Sequence, residues 1–402
     1  MPSCRSCGGG RLEVFLSLGD LPLADALLRD STEPEARFPL DIAFCPDCAL
    51  VQILEEVPPQ RLFVDNYLYF SSFSDALLEH ARVHAAGLVN GLGPESLVVE
   101  VGSNDGYLLR HVAAAGVPVL GIDPAPDQAD AADAAGVPTL REFFGLDLAR
   151  RLRAEGRRAD VIVANNVMAH TPDLNGFVGG LAELLADDGV ATIENPSVEE
   201  LVERCEFDTI YHEHFSYLSS TSVAALMARH GLVLFRVEAF PDLHGGTRRW
   251  WVSRSRPVEA SARDALVHEG EAGVGSAAFY RSFAGRVEAV RRELIGMVGG
   301  LRAEGARVAA YGAAAKGATL LNSCGLGTDM VEFVVDRNPH KQGRFMPGTH
   351  QPIRPPEALV EEQPDAVLLL AWNFAREVMA QQQAYRDAGG RFLVPIPQPA
   401  LV

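Results

Sequence analysis

The densest group of reactive side chains is the run Tyr211-His212-Glu213-His214, with two imidazoles, a carboxylate and a phenol in four residues. Such a group can perform general acid–base catalysis or bind a metal ion. Its H-E-H spacing differs from the H-E-x-x-H of helical metalloproteases. In an extended segment, His212 and His214 would share one face and Glu213 would point away. A solvated loop is the alternative, and it is disfavoured by further histidines at expected loop ends, His170 and His244-Gly245-Gly246.

A glycine-bearing turn, Glu100-Val101-Gly102-Ser103-Asn104-Asp105-Gly106, follows an apolar strand-like segment. Glycines let a backbone approach a ligand closely at the carboxyl edge of a sheet. The dinucleotide pattern G-x-G-x-x-G is absent, and Glu100 disfavours a phosphate but suits a cationic amino-acid group. Asp123, about twenty residues further on, ends the next strand-like segment, where an acid accepts hydrogen bonds from ribose. The turn and Asp123 predict S-adenosylmethionine as cofactor, with Glu100, Gly102, Asn104 and Gly106 around it; a plain tight turn is the alternative.

Two further positions belong to the same expected edge of the sheet. Phe143 and Phe144 follow the third strand-like segment, and either ring could line an adenine slot or belong to the core. Asn165-Asn166 ends the next strand-like segment, where substrate and cofactor meet. We therefore add Phe144, Asn165 and Asn166 to the predicted cofactor site.

Two CxxC pairs, Cys4/Cys7 and Cys45/Cys48, lie in one short region. Each pair can present two thiolates to one tetrahedral Zn²⁺, and four sulfur ligands leave no open position, so the predicted zinc site is structural. Buried cysteines or a CxxC redox centre are the alternatives, but a redox centre needs only one pair beside a βαβ unit. The isolated Cys205 and Cys324 are expected to be ordinary buried thiols.

The segments that must position these groups predict an α/β fold with three regions. A small zinc-binding domain is expected over residues 1–70. A Rossmann-like methyltransferase domain follows over 71–270, because strand-like runs at 117–122, 161–164 and 190–194 alternate with helical segments. A second α/β domain, also Rossmann-like, occupies 271–402. It begins with a long helical stretch near 276–302 and has strand-like runs at 307–311, 331–335, 366–370 and 392–395.

The third region contains its own glycine turn, Gly312-Ala313-Ala314-Ala315-Lys316-Gly317, after its first strand-like run. A glycine turn that opens a helix can bind an anion, and Lys316 adds positive charge for a diphosphate. A surface lysine beside a plain turn is the alternative. The turn lacks the dinucleotide pattern, which argues against a nucleotide-dependent oxidoreductase.

Composition limits the partners. The 402-residue chain has a formal net charge of −18, which argues against nucleic acid and anionic membranes because both require clustered cations. An anionic small molecule stays compatible, since it needs only a few local cations. We find no run of about 20 apolar residues and no signal-peptide core after Met1, so the expected location is the cytoplasm. The expected assembly is a monomer or weak homodimer.

Several distinctive sequence motifs lie along the chain, each at a different position. They include the four cysteines with Leu18-Gly19 and Pro22-Leu23-Ala24, Tyr67-x-Tyr69-x-Ser71-Ser72, the Glu100–Gly106 turn, Asn166-Val167 with His170, Tyr211–His214, His244-Gly245-Gly246-Thr247, Tyr311–Gly317, Asp336-Arg337-Asn338-Pro339 and Pro347-Gly348-Thr349. With these strings the whole chain resembles the sugar C-methyltransferases that act on dTDP-linked deoxy-ketosugars in antibiotic pathways. Family members often have Ser where Thr247 stands, and the hydroxyl is kept.

The resemblance implies a 4-keto sugar whose neighbouring carbon, usually C3, is methylated through an enolate. His214 matches the family's base position. Tyr211 and Glu213 would orient the substrate or the base, and His170 would face the keto oxygen. Substrate contacts are expected from Tyr67, Tyr69, Ser72, His244, Gly245, Arg248 and Lys316. Methylation at another carbon such as C5, an oxidoreductase, and a scaffold protein with a degenerate methyltransferase core are the alternatives.

Overall fold

The computed structural model describes residues 2–64, 69–243 and 245–402. Its strands are β1 Glu13–Pro22, β2 Arg37–Phe44, β3 Val51–Ile53, β4 Val98–Val101, β5 Val119–Ile122, β6 Thr139–Leu140, β7 Ala159–Asn165, β8 Leu185–Pro196, β9 Ser216–Tyr217, β10 Val233–Phe240, β11 Thr247–Ser253, β12 Val308–Tyr311, β13 Val334–Val335, β14 Ile353–Arg354, β15 Ala366–Leu369, β16 Arg391–Val394 and β17 Ala400–Leu401.

The α-helices are α1 Pro59–Phe63, α2 Asp75–Leu88, α3 Leu109–Ala114, α4 Pro126–Ala134, α5 Leu146–Ala154, α6 Leu174–Leu184, α7 Val198–Glu203, α8 Ser220–Arg229, α9 Ala260–Ala272, α10 Ala277–Ala303, α11 Ala315–Cys324, α12 Ala358–Glu362, α13 Ala375–Gln381 and α14 Gln383–Asp387. Four short 3-10 helices, Ser71–Phe73, Met168–His170, Phe207–Thr209 and Trp372–Phe374, lie between them. The long helix expected near 276–302 is confirmed as α10. Its apolar residues recur every three or four positions and form one buried stripe, Tyr280, Phe283, Val287, Val290, Leu294 and Val298.

A seven-stranded sheet forms the centre of the molecule, in the order β10-β11-β8-β7-β4-β5-β6. Strands β4 to β8 are parallel, and β10 and β11 add an antiparallel edge. The central strands are buried on both faces, as continuous apolar runs in parallel sheets require. This arrangement confirms the predicted Rossmann-like methyltransferase fold. It brings the carboxyl ends of β4, β5 and β7 together at one edge.

A second, mostly parallel sheet has the order β14-β13-β12-β15-β16-β17, with β17 antiparallel to its neighbour. This sheet confirms the additional α/β unit expected in the last third of the chain. Helix α11 starts directly after β12, so the Gly312–Gly317 turn lies at the carboxyl end of that strand.

The amino-terminal sheet is antiparallel in the order β1-β2-β3-β9. Its fourth strand comes from residues 216–217, immediately after the Tyr211–His214 run, and pairs Tyr217 with Val51. One continuous core joins this sheet to α7, α10, α11 and the third sheet. The predicted boundaries at residues 70 and 270 stay a prediction.

Candidate active site and zinc centre

The four predicted zinc ligands come together at one end of the amino-terminal sheet. The Sγ atoms of Cys4, Cys7, Cys45 and Cys48 all lie within 4.8 Å of one another. Cys4 and Cys48 are 3.4 Å apart and Cys7 and Cys45 are 3.6 Å apart. A tetrahedral Zn²⁺ with Zn–S bonds of about 2.3 Å separates its sulfurs by about 3.8 Å, so this donor set fits zinc. All four cysteines are free thiols rather than disulfides.

A cavity of about 480 Å³ opens at the carboxyl ends of β4, β5 and β7. Its walls contain these predicted cofactor, substrate and catalytic residues: Gly102, Asn104, Asp123, Phe144, Asn165, Asn166, Tyr69 and His170. Phe143 and Phe177 add aromatic surface, and Phe144 packs edge-on against Phe177 at 5.5 Å. Apolar walls with a few converging polar groups are typical of a small-molecule site.

The turn after β4 has a left-handed backbone that explains its glycine. Gly102 has φ +66°, and a Cβ there would lie 3.0 Å from the Cβ of Val167, which also lines the cavity. Asp123 fixes the far side of the turn, because its carboxylate accepts the N–H of Asn104 at 2.8 Å and that of Ala125 at 2.9 Å. The cavity therefore has a rigid backbone cradle beside a carboxylate, which fits a ribose-containing cofactor.

Glu100 and Gly106 lie behind this cradle rather than in the cavity wall. Glu100 is fully buried, and burial together with the Asp123 and Asp105 charges holds its pKa well above the ordinary value. Gly106 has φ +72° and faces Val137 and Ala132. Both residues support the turn from the side away from the cavity. Glu100 can therefore influence a ligand only indirectly, through the position of the turn.

The segment Tyr69–Ser72 covers the cavity and is tied to the cofactor turn. The Asn104 side chain accepts the Ser71 N–H at 2.8 Å and donates to the Tyr69 carbonyl at 3.2 Å. Asp105 accepts the Ser72 N–H at 3.2 Å. The side chain that lines the cavity is Ser71, whereas the predicted Ser72 lies beside it. The predicted Tyr67 lies outside the described residues.

The Tyr211–His214 run forms a turn, so the shared face that an extended segment would give His212 and His214 is absent; the His214 N–H donates to the Tyr211 carbonyl at 3.0 Å. His212 and His214 consequently point apart. His212 is buried against Phe38, with its Nε2 3.2 Å from the Pro39 carbonyl. His214 stacks on Tyr211 with ring centroids 4.1 Å apart. His212 is therefore part of the packed scaffold, whereas His214 lies beside the ring of Tyr211.

His170 and His214 face each other with ring centroids 4.7 Å apart. The Nδ1 of His170 lies 2.7 Å from the Glu213 carbonyl, and the Nδ1 of His214 lies 2.8 Å from the Thr209 carbonyl. A carbonyl only accepts, so each Nδ1 carries a hydrogen, and in the neutral form of either ring the lone pair is on Nε2. Burial lowers the pKa of His170 to about 4. This arrangement can accept a proton at neutral pH.

Glu213 points toward the amino-terminal sheet, where its Oε1 lies 3.4 Å from the N–H of Asp25. Burial and the Asp25 charge raise the pKa of Glu213 to about 8. Sequence reasoning missed Asp25, although it directly follows the Pro22-Leu23-Ala24 string. Glu213 is therefore largely protonated near neutral pH and joins the segment at Asp25 to the Tyr211–His214 turn.

The third sheet presents a comparable glycine turn. Gly312 has φ +104°, and Asp336 at the end of β13 accepts the Ala313 N–H at 2.8 Å. The Lys341 ammonium donates to the Ala313 carbonyl at 2.7 Å. Lys316 Nζ is buried 4.9 Å from the centre of the Trp372 ring and has no hydrogen-bond acceptor among the described residues. Lys341 and Trp372 were not predicted, because their positions depend on long-range folding.

The predicted Arg248 lies at a different cavity of about 270 Å³, where it pairs with Glu200 at 2.6 Å and Glu199 at 3.3 Å. Gly245 packs against the Glu206 carboxylate, so any side chain there would clash. The predicted His244 lies outside the described residues. Gly245 lies just before β11 and Arg248 within it, near the same edge of the central sheet as the main cavity.

Three successive parts of the chain each match a known protein family. Residues 4–63 match the family described as "Putative zinc binding domain", residues 77–237 match "Methyltransferase domain", and residues 242–397 match "C-methyltransferase C-terminal domain". Part of the chain is similar to solved structures, such as a magnesium protoporphyrin IX methyltransferase from Synechocystis PCC 6803 (18% identity, TM-score 0.35, 49% of this chain and 89% of that one). A TehB-like methyltransferase from Corynebacterium glutamicum has 16% identity and a TM-score of 0.32 over 44% and 88%.

The sheet, its glycine turn and these domains define a methyltransferase that uses S-adenosylmethionine. C-methyltransferase NovU of Streptomyces niveus is 36% identical over 99% of this chain and 96% of its own length. The chain therefore belongs to the C-methyltransferase family. A shorter match, 36% over 22% of this chain and 37% of the relative, is to a ubiquinone biosynthesis O-methyltransferase of Methylobacterium.

Among the described residues, every helix is too short or too polar to cross a lipid bilayer.

Proposed function

We propose that the enzyme methylates a carbon of a dTDP-linked 4-keto-deoxysugar, at C3 next to the keto group, in antibiotic deoxysugar biosynthesis. The His170–His214 pair carries the proposal. The carbon beside a ketone becomes a nucleophile when a base removes its proton, and in the neutral form of each ring of this pair Nε2 is the basic nitrogen. The identity to a C-methyltransferase along nearly the whole chain supports carbon as the methyl acceptor.

The proposed reaction begins when His214 Nε2 takes the proton from the carbon beside the ketone. The electron pair of that C–H bond forms a C=C bond and the C=O pair moves onto the keto oxygen, where the Tyr211 hydroxyl donates a hydrogen bond that stabilises the enolate, while neutral His170 lines the cavity across the site. Tyr211 stacks on His214 and fixes its plane. S-adenosylmethionine, when bound, supplies an electrophilic methyl group with a neutral thioether as leaving group. Glu213 holds its proton near neutral pH and keeps negative charge away from the enolate.

We assign the cofactor to Gly102, Asn104, Asp123, Phe144, Asn165 and Asn166 in the cavity wall, with Glu100 and Gly106 supporting the turn. The nucleotide sugar then lies between the covering segment, with Tyr67, Tyr69 and Ser72, and the third sheet. Lys316 supplies charge for the diphosphate. We assign His244 and Gly245 to the sugar side, whereas Arg248 pairs with Glu199 and Glu200 at the separate cavity. Residues 1–70, 71–270 and 271–402 act as the zinc, methyl-donor and nucleotide domains.

Solvent deuterium exchange tests the base directly. A dTDP-4-ketosugar is incubated in D₂O without S-adenosylmethionine, and loss of the α-proton signal is followed by NMR. We expect exchange with the parent and with His340→Asn, an exposed histidine away from the cavity. His214→Asn should slow exchange by about 100-fold, as removal of a general base does. Parent-like exchange and turnover by His214→Asn would overturn the assignment.

The same substrates test position and nucleotide contact. Turnover with S-adenosylmethionine, followed by NMR of the product, identifies the methylated carbon. Lys316→Ala should raise KM for the dTDP-sugar about tenfold, the loss of one charge-assisted contact, and leave KM for S-adenosylmethionine unchanged. Equal effects on both constants would argue against a diphosphate site at Lys316.

A further inference from the structure

A short segment just before the catalytic turn connects the histidine pair to the third sheet. The 3-10 helix Phe207–Thr209 packs against α11, the helix that opens at the Gly312–Gly317 turn. The Thr209 carbonyl at its end lies 2.8 Å from His214 Nδ1. The orientation of this carbonyl therefore determines which nitrogen of His214 carries the hydrogen.

The 3-10 helix Phe207–Thr209 is also held by Trp372, a residue that the sequence analysis did not identify. Trp372 Nε1 donates to Asp208 Oδ2 at 2.6 Å. Asp208 is fully buried, and burial raises its pKa to about 6 against the opposing charge of Lys316. A buried carboxylate is costly unless it is hydrogen-bonded, so the indole N–H has a strong influence on where Asp208 lies.

Trp372 also contacts the proposed nucleotide region. The Lys316 ammonium lies over its ring, 4.9 Å from the ring centre. Three consecutive contacts thus lead from the lysine to the base: ammonium on indole, indole N–H to Asp208, and the neighbouring Thr209 carbonyl to His214. Each is a direct contact between named atoms, so displacement of the indole is transmitted over a short distance.

We propose that Trp372 and Asp208 are positioning residues that hold the Thr209 carbonyl and thereby keep His214 in the tautomer with its lone pair on Nε2. Neither residue touches the reacting atoms. They join the third sheet to the base, so that a ligand which moves Lys316 also moves the carbonyl that orients His214. The consequence for proton abstraction rests on the proposed function, whereas the tautomer itself does not.

The first experiment is ¹⁵N NMR of histidine-labelled protein, with the His214 signals identified by their loss in His214→Asn. The parent should show the tautomer protonated at Nδ1. Trp372→Phe keeps a ring for Lys316 but removes the N–H, and we expect His214 to become a mixture of both tautomers. Trp251→Phe is the matched control, because the Trp251 Nε1 has no hydrogen-bond partner among the described residues; its His214 signals should match the parent.

Kinetics provide the second readout. Trp372→Phe should lower kcat about tenfold, the size expected for loss of one orienting hydrogen bond, while KM for S-adenosylmethionine stays within about twofold. Asp208→Asn keeps an acceptor for the indole and should retain more activity than Asp208→Ala. This order separates positioning from general destabilisation, because both variants remove the same charge.

An unchanged His214 tautomer in folded Trp372→Phe would overturn the proposal, and so would equal activity of the two Asp208 variants. A changed tautomer without any deuterium exchange in the parent would instead preserve the link and refute the proposed function. The two failures are therefore distinguishable.

Discussion

Gly102 shows how strongly one residue constrains the cofactor cavity. Gly102→Ala places a side chain at φ +66° and brings a Cβ within 3.0 Å of Val167. We expect a loss of about 1–2 kcal/mol in stability from the left-handed backbone. Displacement of Val167 should also weaken S-adenosylhomocysteine binding by about tenfold, near 1.4 kcal/mol. Calorimetric titration and urea unfolding measure the two effects.

Gly136→Ala is the control for this change, since Gly136 has φ +83° with open space around its Cα. It should lose similar stability yet bind S-adenosylhomocysteine like the parent. Similar affinities for the parent and Gly102→Ala would show that the turn does not shape the site.

The buried Glu213 makes stability depend on pH. Its pKa of about 8 in the folded protein exceeds the ordinary glutamate value, so the folded state retains a proton that the unfolded state releases. This group costs nothing below pH 4.5, and its penalty grows by up to about 1.4 kcal/mol per pH unit as pH rises toward 8. Glu213→Gln removes the penalty. Its unfolding free energy should therefore exceed that of the parent increasingly between pH 5 and 8.

Urea unfolding at pH 5, 6.5 and 8 checks this prediction, with Glu361→Gln as an exposed control that should give a constant difference. A difference for Glu213→Gln that does not change with pH would show that Glu213 ionises normally in the folded protein.

At this scale, the sequence indicated which residue types gather but not how their side chains point. Asp123 and Gly102 could be placed because strand ends meet at a sheet edge. The opposite directions of His212 and His214 could not, because they depend on a single backbone hydrogen bond. Asp25 and Trp372 had no local signal, since each acts through contacts more than 150 residues away along the chain.

At the scale of elements, the cysteine cluster and the Tyr211–His214 turn are linked by one sheet. Strand β3, which follows Cys48, pairs with β9, which begins two residues after His214. Ile53 also donates to the Phe215 carbonyl at 3.2 Å. The sheet that carries the cysteines therefore contacts the segment that carries the proposed base.

Loss of one zinc ligand should disturb both the metal site and the segment that carries the proposed base. Cys45→Ser leaves three thiolates, and we expect substoichiometric zinc and a loss of several kcal/mol, because structural zinc contributes folding energy. Deuterium exchange into the substrate should fall as well. Metal analysis by mass spectrometry and thermal unfolding test this, with Cys324→Ser as a buried thiol outside the cluster. Full zinc occupancy in Cys45→Ser would contradict the four-cysteine site.

Helix and strand prediction succeeded where the pattern is long. Helix α10 could be bounded to within one residue because its apolar stripe continues from Tyr280 to Val298 in a helix of 27 residues. Strand β9 has only two residues and exists because Val51 is available to pair with it. A partner so far away in sequence leaves no periodic signal in the strand itself.

At the scale of the whole molecule, the loop between β1 and β2 is hydrogen-bonded to the loop between β13 and β14. Glu35 accepts the Gly348 N–H at 2.6 Å and the His350 Nε2 lies 2.6 Å from its other oxygen. Glu35→Ala leaves a partly buried N–H without this acceptor, so we expect a loss of about 1–3 kcal/mol. Hydrogen exchange around residues 347–350 should accelerate. Unfolding in urea and exchange mass spectrometry provide the measurements.

Glu33→Ala serves as the comparison, because Glu33 lies in the same loop and, among the described residues, its side chain accepts only a local N–H from Arg29. Its exchange rates at 347–350 should equal those of the parent. Equal stability of the Glu35 and Glu33 variants would mean that the Glu35 contacts with Gly348 and His350 do not contribute to the free energy of unfolding.

The core shared by the first sheet, α10 and the third sheet has a consequence for biosynthesis. Strands β1 to β3 are synthesised before the elements that cover them, and α10 and the third sheet are encoded more than 220 residues later. At roughly 5–20 residues per second, part of their apolar side waits for tens of seconds without its partner. A chimera that exchanges only the first or only the last third with a relative should inherit a mismatched core.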